Sequence, residues 1–242
     1  MVGCPSFRAL NSRTENDQDN LTEESRQNTL QVLREFSAQY PKAYAPRRLA
    51  LTISQGHCLR SSVTHSECSF PAGDDFKVLV KPYIEAALNK GIPSLFCDLK
   101  MLYADGFKRQ VIQGIVEDLR ASLVASQLSP ASEPTQYLWT LYFLAQHHSF
   151  LREYGKAIDI LHTAMEHTPT LPELYMTKAR VLKRAGDPFG AVRAMDEARK
   201  LDGQDRFINT KSGKYRLRAG MVDEAEEIFG LFTRVSLGVT LV

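Results

Sequence analysis

Long apolar runs are missing from this sequence. No stretch approaches the roughly 20 residues that cross a bilayer, and the opening MVGCPSFRALNSRTEND shows no apolar signal core before acids appear. A cytoplasmic chain with no membrane partner is therefore expected. Cysteine is scarce as well, at four in 242 residues, which excludes a disulfide-dense secreted scaffold and favours reduced thiols. Neither sign of charge is in excess: 30 Lys and Arg against 28 Asp and Glu leave a net charge of +2. Bulk charge thus gives no grounds for specific nucleic-acid binding, and affinity for any polyanion has to come from local clustering. The arrangements that catalysis needs are also lacking, since no Ser/His/Asp order, carboxylate pair or phosphate-cradling glycine loop stands out.

Soft metal ligands occur together once. His57, Cys58, His65 and Cys68 lie within GHCLRSSVTHSECSF, a composition that zinc sites use. Neither CxxC nor HxxxH spacing is present, and adjacent His and Cys do not easily face one ion, so a polar surface loop without metal is the expected state. The remaining histidines, His147, His148, His162 and His167, read as surface or packing residues.

What is present is helical periodicity, while strand signals are nearly absent. Residues 1–20 are polar and poor in aromatics, as in a disordered lead-in. In RQNTLQVLREFSAQY, Leu30, Leu33, Phe36 and Tyr40 recur every three to four residues, predicting an amphipathic helix over 26–40 that Pro41 ends. Further helices are predicted over 46–55, from Asp74 or Asp75 to Lys90, and over 94–104 and 107–127. Residues 57–73 read as a loop insertion within a helical region spanning 21–127, and LSPASEP at 128–134 reads as a linker.

From Thr135 onward the chain repeats with a period of 34 residues. Ala145, Ala179 and Gly213 recur at that interval, as do Ala157, Ala191 and Ala225, and the bulky Leu161, Met195 and Phe229. Gly186 and Gly220 also lie 34 apart as helix-ending residues, and Asp187 with Pro188 forms an N-cap and first-turn pair. This pattern resembles the tetratricopeptide repeat, in which small residues let paired helices approach closely. The expected fold is all-α, a right-handed superhelical solenoid of helix pairs, with three repeats over 135–235 and an irregular tail at 236–242.

The repeat family implies which side chains line a groove. In the second repeat these are Glu173, Met176, Arg180, Lys183 and Arg184. In the third they are Phe207, Thr210, Lys214, Leu217 and Arg218, flanked by Lys211 and Tyr215. The first repeat offers Trp139, Tyr142, Gln146, Ser149 and Phe150, of which Trp139 and Tyr142 fit a core equally well. Residues 170–220 hold twelve Lys and Arg against six Asp and Glu. Such a cluster repels itself unless an anion neutralises it, so Arg180, Lys183, Arg184, Lys211, Lys214 and Arg218, with Tyr215, are expected to bind a polyanion. Trp139, Tyr142, Met176 and Phe207 are expected to face a partner. A generic adaptor gripping acidic peptide tails would use the same groove.

The segments YLWTLYFLAQHHSFLREYGKAIDILHTAMEHTPTLPELYMTKARVLKRAGD and AVRAMDEARKLDGQDRFINTKSGKYRLRAGMVDEAEEIFGLFTR carry a closer resemblance. With YPKAYAPRRLAL, KPYIEAALNKGIPSLFCDLKMLY and SEPTQYLW upstream, residues 26–234 resemble the auxiliary, ribosome-anchoring subunit of the N-terminal acetyltransferase A complex. The resemblance implies a non-catalytic scaffold that wraps and positions a small acetyltransferase subunit, reaches the ribosome through the full-length protein and has no cofactor of its own. It further implies inositol hexakisphosphate at the interface, held at positions equivalent to Arg180, Lys183, Arg184, Lys211, Lys214 and Tyr215. Family members are several times longer, so a fragment is expected, and 57–73 and the ending VSLGVTLV depart from the family pattern.

Overall fold

The computed structural model describes residues 23–40, 43–54, 74–126 and 134–231. The expected lead-in, the loop insertion with His57, Cys58, His65 and Cys68, the linker up to residue 133 and the tail lie outside these residues. Among the described residues there are eleven α-helices, one 3-10 segment and no strand. The chain divides into two compact units: one contains residues up to Ala87 together with Cys97–Ile115, the other Leu88–Phe96 together with the chain from Val116 onward.

In the first unit α1 (Glu23–Gln39) packs on α2 (Tyr44–Ile53). Leu30, Leu33 and Ala50 form the buried seam, with Leu49, Ile53 and Leu79 against it. Leu79 belongs to α3 (Asp74–Asn89), which runs from the first unit into the second. The helix predicted over 94–104 is divided into α4 (Leu95–Leu99) and a 3-10 turn over Lys100–Ala104. Asp105 ends the 3-10 turn and turns its carboxylate to the start of α5 (Gly106–Ser126), accepting from Phe107 N at 2.8 Å. Lys108 of α5 is buried and closes the C-terminal end of α2, donating to Leu51 O and Thr52 O at 3.2 Å each.

The second unit holds the repeats as three successive helix pairs: α6 (Pro134–Phe150) with α7 (Tyr154–His167), α8 (Pro172–Ala185) with α9 (Pro188–Leu201), and α10 (Arg206–Arg218) with α11 (Val222–Gly230). Each helix packs on the next in chain order, the nearest-neighbour pattern of a helical repeat. The small residues of the period, Ala145, Ala157, Ala179, Ala191 and Ala225, are fully buried between the helices.

The turns repeat too. Gly186 closes α8 at φ 93° and Gly220 closes α10 at φ 80°, both left-handed. In each turn the next residue's N–H reaches back five positions, from Asp187 N to Leu182 O and from Met221 N to Arg216 O, both at 3.0 Å. The first pair places Arg152 at the equivalent position, at φ 65°, with Glu153 N donating to His148 O at 2.9 Å. Asp187 and Asp205 cap the helices that follow them, accepting from Gly190 N at 2.7 Å and Phe207 N at 2.6 Å.

Helix α6 is buried nearly all round, as expected of a helix apolar on every face. The turn at Gly91 lies against it: a Cβ there would sit 2.6 Å from Trp139 Nε1. Phe96 packs edge-on to Phe143 with ring centroids 5.7 Å apart and lies 6.0 Å from Phe150.

Candidate polyanion-binding site

Helix α8 carries four cations whose directions follow from helical spacing. Lys178 turns toward α7, its Nζ 3.0 Å from His162 Nε2. Of the others, Lys183 meets α10, Arg184 reaches back to Ser149 of α6, and Arg180 is exposed. Lys183 Nζ stands 5.9 Å from the centroid of the Tyr215 ring, and the Arg218 guanidinium lies 5.9 Å from the same centroid. Tyr215 is buried at 7% exposure, so its ring is a fixed apolar floor between two cations. Lys211 lies over the exposed Phe207 ring at 5.1 Å.

The charges act on one another. Partial burial holds the Lys183 ammonium below the usual lysine range, and the positive charges of Arg218, Arg184, Arg180 and Lys211 push it further down. Burial raises the Tyr215 phenol above its ordinary value, while Arg180, Arg218 and Arg184 partly offset that rise. Lys183, Arg180, Arg184 and Arg218 therefore converge on Tyr215, and Lys211 acts on Lys183 from beside them. Lys214 is exposed and is not among the charges acting on Lys183 or Tyr215, so it stands at the margin of the group.

Other cations of the same stretch are neutralised. Arg216 is buried; its Nη2 lies 2.6 Å from Asp196 Oδ1 of α9 and its Nε 3.1 Å from Glu224 Oε2 of α11, and its Nη1 donates to Ser212. Arg199, Lys200 and Arg193 pair with Asp196, Glu197 and Asp187. Among the described residues no ion pair reaches Arg180, Lys183, Arg184, Lys211, Lys214 or Arg218. Asp196 and Glu197 of α9 and Glu224 of α11 are paired with a different set of cations.

The groove expected on the first pair is different in the structure. Tyr142, Gln146 and Ser149 are buried, and Phe150 is half-buried. Tyr142 accepts from Thr177 Oγ1 at 3.3 Å and packs edge-on to Trp139, with centroids 5.4 Å apart. The Gly91 turn and Phe96 occupy the space beside them, which is why these aromatics are not a free surface in this unit. Met176 is half-buried against the α8–α10 core, and Phe207 alone among Trp139, Tyr142, Met176 and Phe207 is exposed.

The role of Arg216 escaped sequence reasoning, and so did the bond made by Ser149, which the sequence places only as a groove residue. Arg216 reads as one more basic residue of α10, and only its distant partners reveal its structural role. Ser149 accepts from Arg184 Nη1 at 3.0 Å and so fixes that guanidinium against the preceding pair. A signal existed: Tyr142 with Thr177, Ser149 with Arg184 and Lys183 with Arg218 are each 35 residues apart, one step past the period. Among the described residues no cluster of His, Cys, Asp and Glu is placed to hold a metal, and no helix is long and apolar enough to cross a membrane.

Helix pairs stacked in chain order at a period of 34, with small residues at the close approaches, define a tetratricopeptide-like helical repeat protein. The chain belongs to the family described as N-terminal acetyltransferase A, auxiliary subunit, which matches over residues 67–240. It is 40% identical over 211 residues to the human N-alpha-acetyltransferase 16, NatA auxiliary subunit, covering 85% of this chain and 22% of that relative. It is 36% identical over 204 residues to the Arabidopsis thaliana N-terminal acetyltransferase A complex auxiliary subunit NAA15, covering 82% of this chain and 23% of that relative. A chain in the solved structure of Naa15/Naa10 bound to HypK-THB superposes with a TM-score of 0.74 at 30% identity, over 96% of this chain and 33% of that one. The chain thus spans less than a quarter of the length of these curated relatives.

Proposed function

We propose that this chain is a non-catalytic scaffold portion of a co-translational N-terminal acetyltransferase complex. It binds and positions a catalytic acetyltransferase subunit, which performs the acetyl transfer, and contact with the ribosome belongs to the full-length protein in the cytoplasm. A polyanion of the inositol hexakisphosphate type sits among Arg180, Lys183, Arg184, Lys211, Lys214 and Arg218, with Tyr215 beneath it, and holds the two subunits together. The observation that carries this reading is the unopposed cation group on α8 and α10 in a chain of this family. Several guanidinium and ammonium groups facing one site match the density of charge on a polyphosphate.

The test is co-expression with the catalytic subunit of the same organism, followed by affinity capture with and without inositol hexakisphosphate. Capture is expected, enhanced by the polyphosphate and weakened by Arg180→Glu, whose helical circular dichroism stays unchanged because Arg180 is exposed. Ala191→Glu, which places a charge at a fully buried position, is expected to lose helix signal as well as capture. Capture indifferent to polyphosphate and to Arg180→Glu would remove the polyanion from the interface. Absence of capture, alongside retention of acidic peptides, would favour the peptide adaptor.

A further inference from the structure

Lys183 differs from every neighbouring lysine. It is half-buried, stands 5.9 Å from the Tyr215 centroid, and is surrounded by Arg218, Arg184, Arg180 and Lys211. Lys200 on α9 is its opposite, an exposed ammonium bonded to Glu197 Oε1 at 2.7 Å and held above the usual lysine range by that bond. An ammonium crowded by cations and partly cut off from water releases its proton more readily than one paired with a carboxylate. Only the neutral amine has the lone pair that acyl transfer requires. The same surrounding cations raise the local concentration of anionic reagents.

We propose that Lys183 is a lysine acylation site, modified without a dedicated enzyme by activated acyl donors that carry phosphate groups. The neutral ε-amine attacks the acyl carbonyl carbon, and an N–C bond forms. The C–O bond of an acyl phosphate, or the C–S bond of a thioester on a phosphate-bearing thiol, breaks. Phosphate or thiolate leaves with the bonding electron pair, and the surplus proton of the amine passes to it or to water. No electrons are exchanged with any third species. A single phosphate docked beside Arg180, Arg184 and Arg218 offsets only part of the four positive charges around Lys183, so the amine keeps much of its advantage while the donor is held. The product is a neutral amide, which removes one cation from the group and weakens its hold on a polyanion. The site exists on the chain alone and does not depend on the assembly proposed above.

The experiment treats the whole chain with acetyl phosphate in one arm and acetyl-coenzyme A in another, and follows each lysine by quantitative peptide mass spectrometry. Lys183 is expected to be acetylated on the order of fivefold faster than Lys200 with at least one donor, and the increase of its rate with pH is expected to set in at a lower pH than that of Lys200. Arg180→Gln, a change at an exposed position, is expected to reduce that ratio. An acylating reagent without an anionic group, N-acetoxysuccinimide, is expected to give a smaller ratio than the phosphate-bearing donors. Equal rates at Lys183 and Lys200 with both donors would overturn the proposal. A ratio equally large with the uncharged reagent would also overturn it, because the cations would then recruit nothing. Failure of subunit capture leaves this outcome unaffected, so the two readings fail separately.

Discussion

Gly213 and Phe229 are fitted to one another: a Cβ on Gly213 would lie 2.6 Å from Phe229 Cζ. In the first two pairs the same columns hold Ala145 with Leu161 and Ala179 with Met195. The third pair trades a smaller residue on α10 for a larger one on α11.

Gly213→Ala sets two terms against each other. Replacing a mid-helix glycine gains up to about 1 kcal/mol of helix propensity, while overpacking costs about 1–3 kcal/mol. Net destabilisation is expected in thermal or denaturant unfolding. In a Phe229→Leu background the obstructing ring is gone, and the same change is expected to stabilise. A loss of stability in both backgrounds would show that something other than Phe229 meets the new methyl group.

Arg152 occupies the left-handed position that Gly186 and Gly220 fill in the later pairs. A side chain in that conformation costs about 1–2 kcal/mol, and glycine returns part of the gain as entropy of the unfolded chain. Arg152→Gly is expected to stabilise by about 0.5 kcal/mol, seen as a higher melting temperature. Gly186→Arg is expected to do the reverse by at least as much.

Arg216 ties α10 to α9 and α11 through Asp196 and Glu224. Its side chain is only 8% exposed, whereas those two acids are 33% and 51% exposed and can return to water. Arg216→Met is therefore expected to cost about 2 kcal/mol, less than a fully buried pair would. Asp196→Asn leaves the buried guanidinium less well satisfied and should cost a similar amount. Because Arg216 is held by Asp196 and Glu224 and is not among the charges acting on Lys183 or Tyr215, neither change is expected to alter polyphosphate affinity measured by calorimetry on the folded variant.

Lys183 is expected to link anion binding to pH. Its ammonium lies below the ordinary lysine range in the free protein, and a bound polyphosphate raises it again. Binding then takes up a proton, so affinity is greatest below the depressed value and falls as pH rises through it. Stability of the free chain runs the other way in this window, rising with pH, because the unfolded lysine still holds its proton. Calorimetry in buffers of different ionisation enthalpy reads the proton uptake directly. Lys183→Arg, charged throughout, should abolish this residue's contribution to the pH slope.

Much of this architecture is legible in sequence because repetition overdetermines it. The columns at 145, 179 and 213, at 157, 191 and 225, and at 161, 195 and 229 state the small-to-large fit before any coordinates exist. Helix ends are legible at Gly186 and Gly220, and Arg152 was hidden only because it is not glycine. The division of roles between Arg216 and Arg218 was not legible. They sit two residues apart on one helix, and only the positions of Asp196 and Glu224 decide which of them is buried. For Trp139 and Tyr142 the sequence left core and groove equally open, and the turn at Gly91 that packs against Trp139 lies almost fifty residues earlier in the chain.

The sorting of cations across α8–α11 gives a nearly neutral chain a strong internal asymmetry. Arg180, Lys183, Arg184 and Arg218 gather around Tyr215 with Lys211 acting on Lys183, while Asp223, Glu226 and Glu227 stand exposed on α11. With a net charge of only +2, the molecule feels little overall pull from a distant anion. It feels a torque instead, since a separated pair of opposite charges behaves as a dipole in an external field. Within about 10 Å, the screening distance at 0.1 M salt, that torque turns the basic face toward the incoming charge before contact is made.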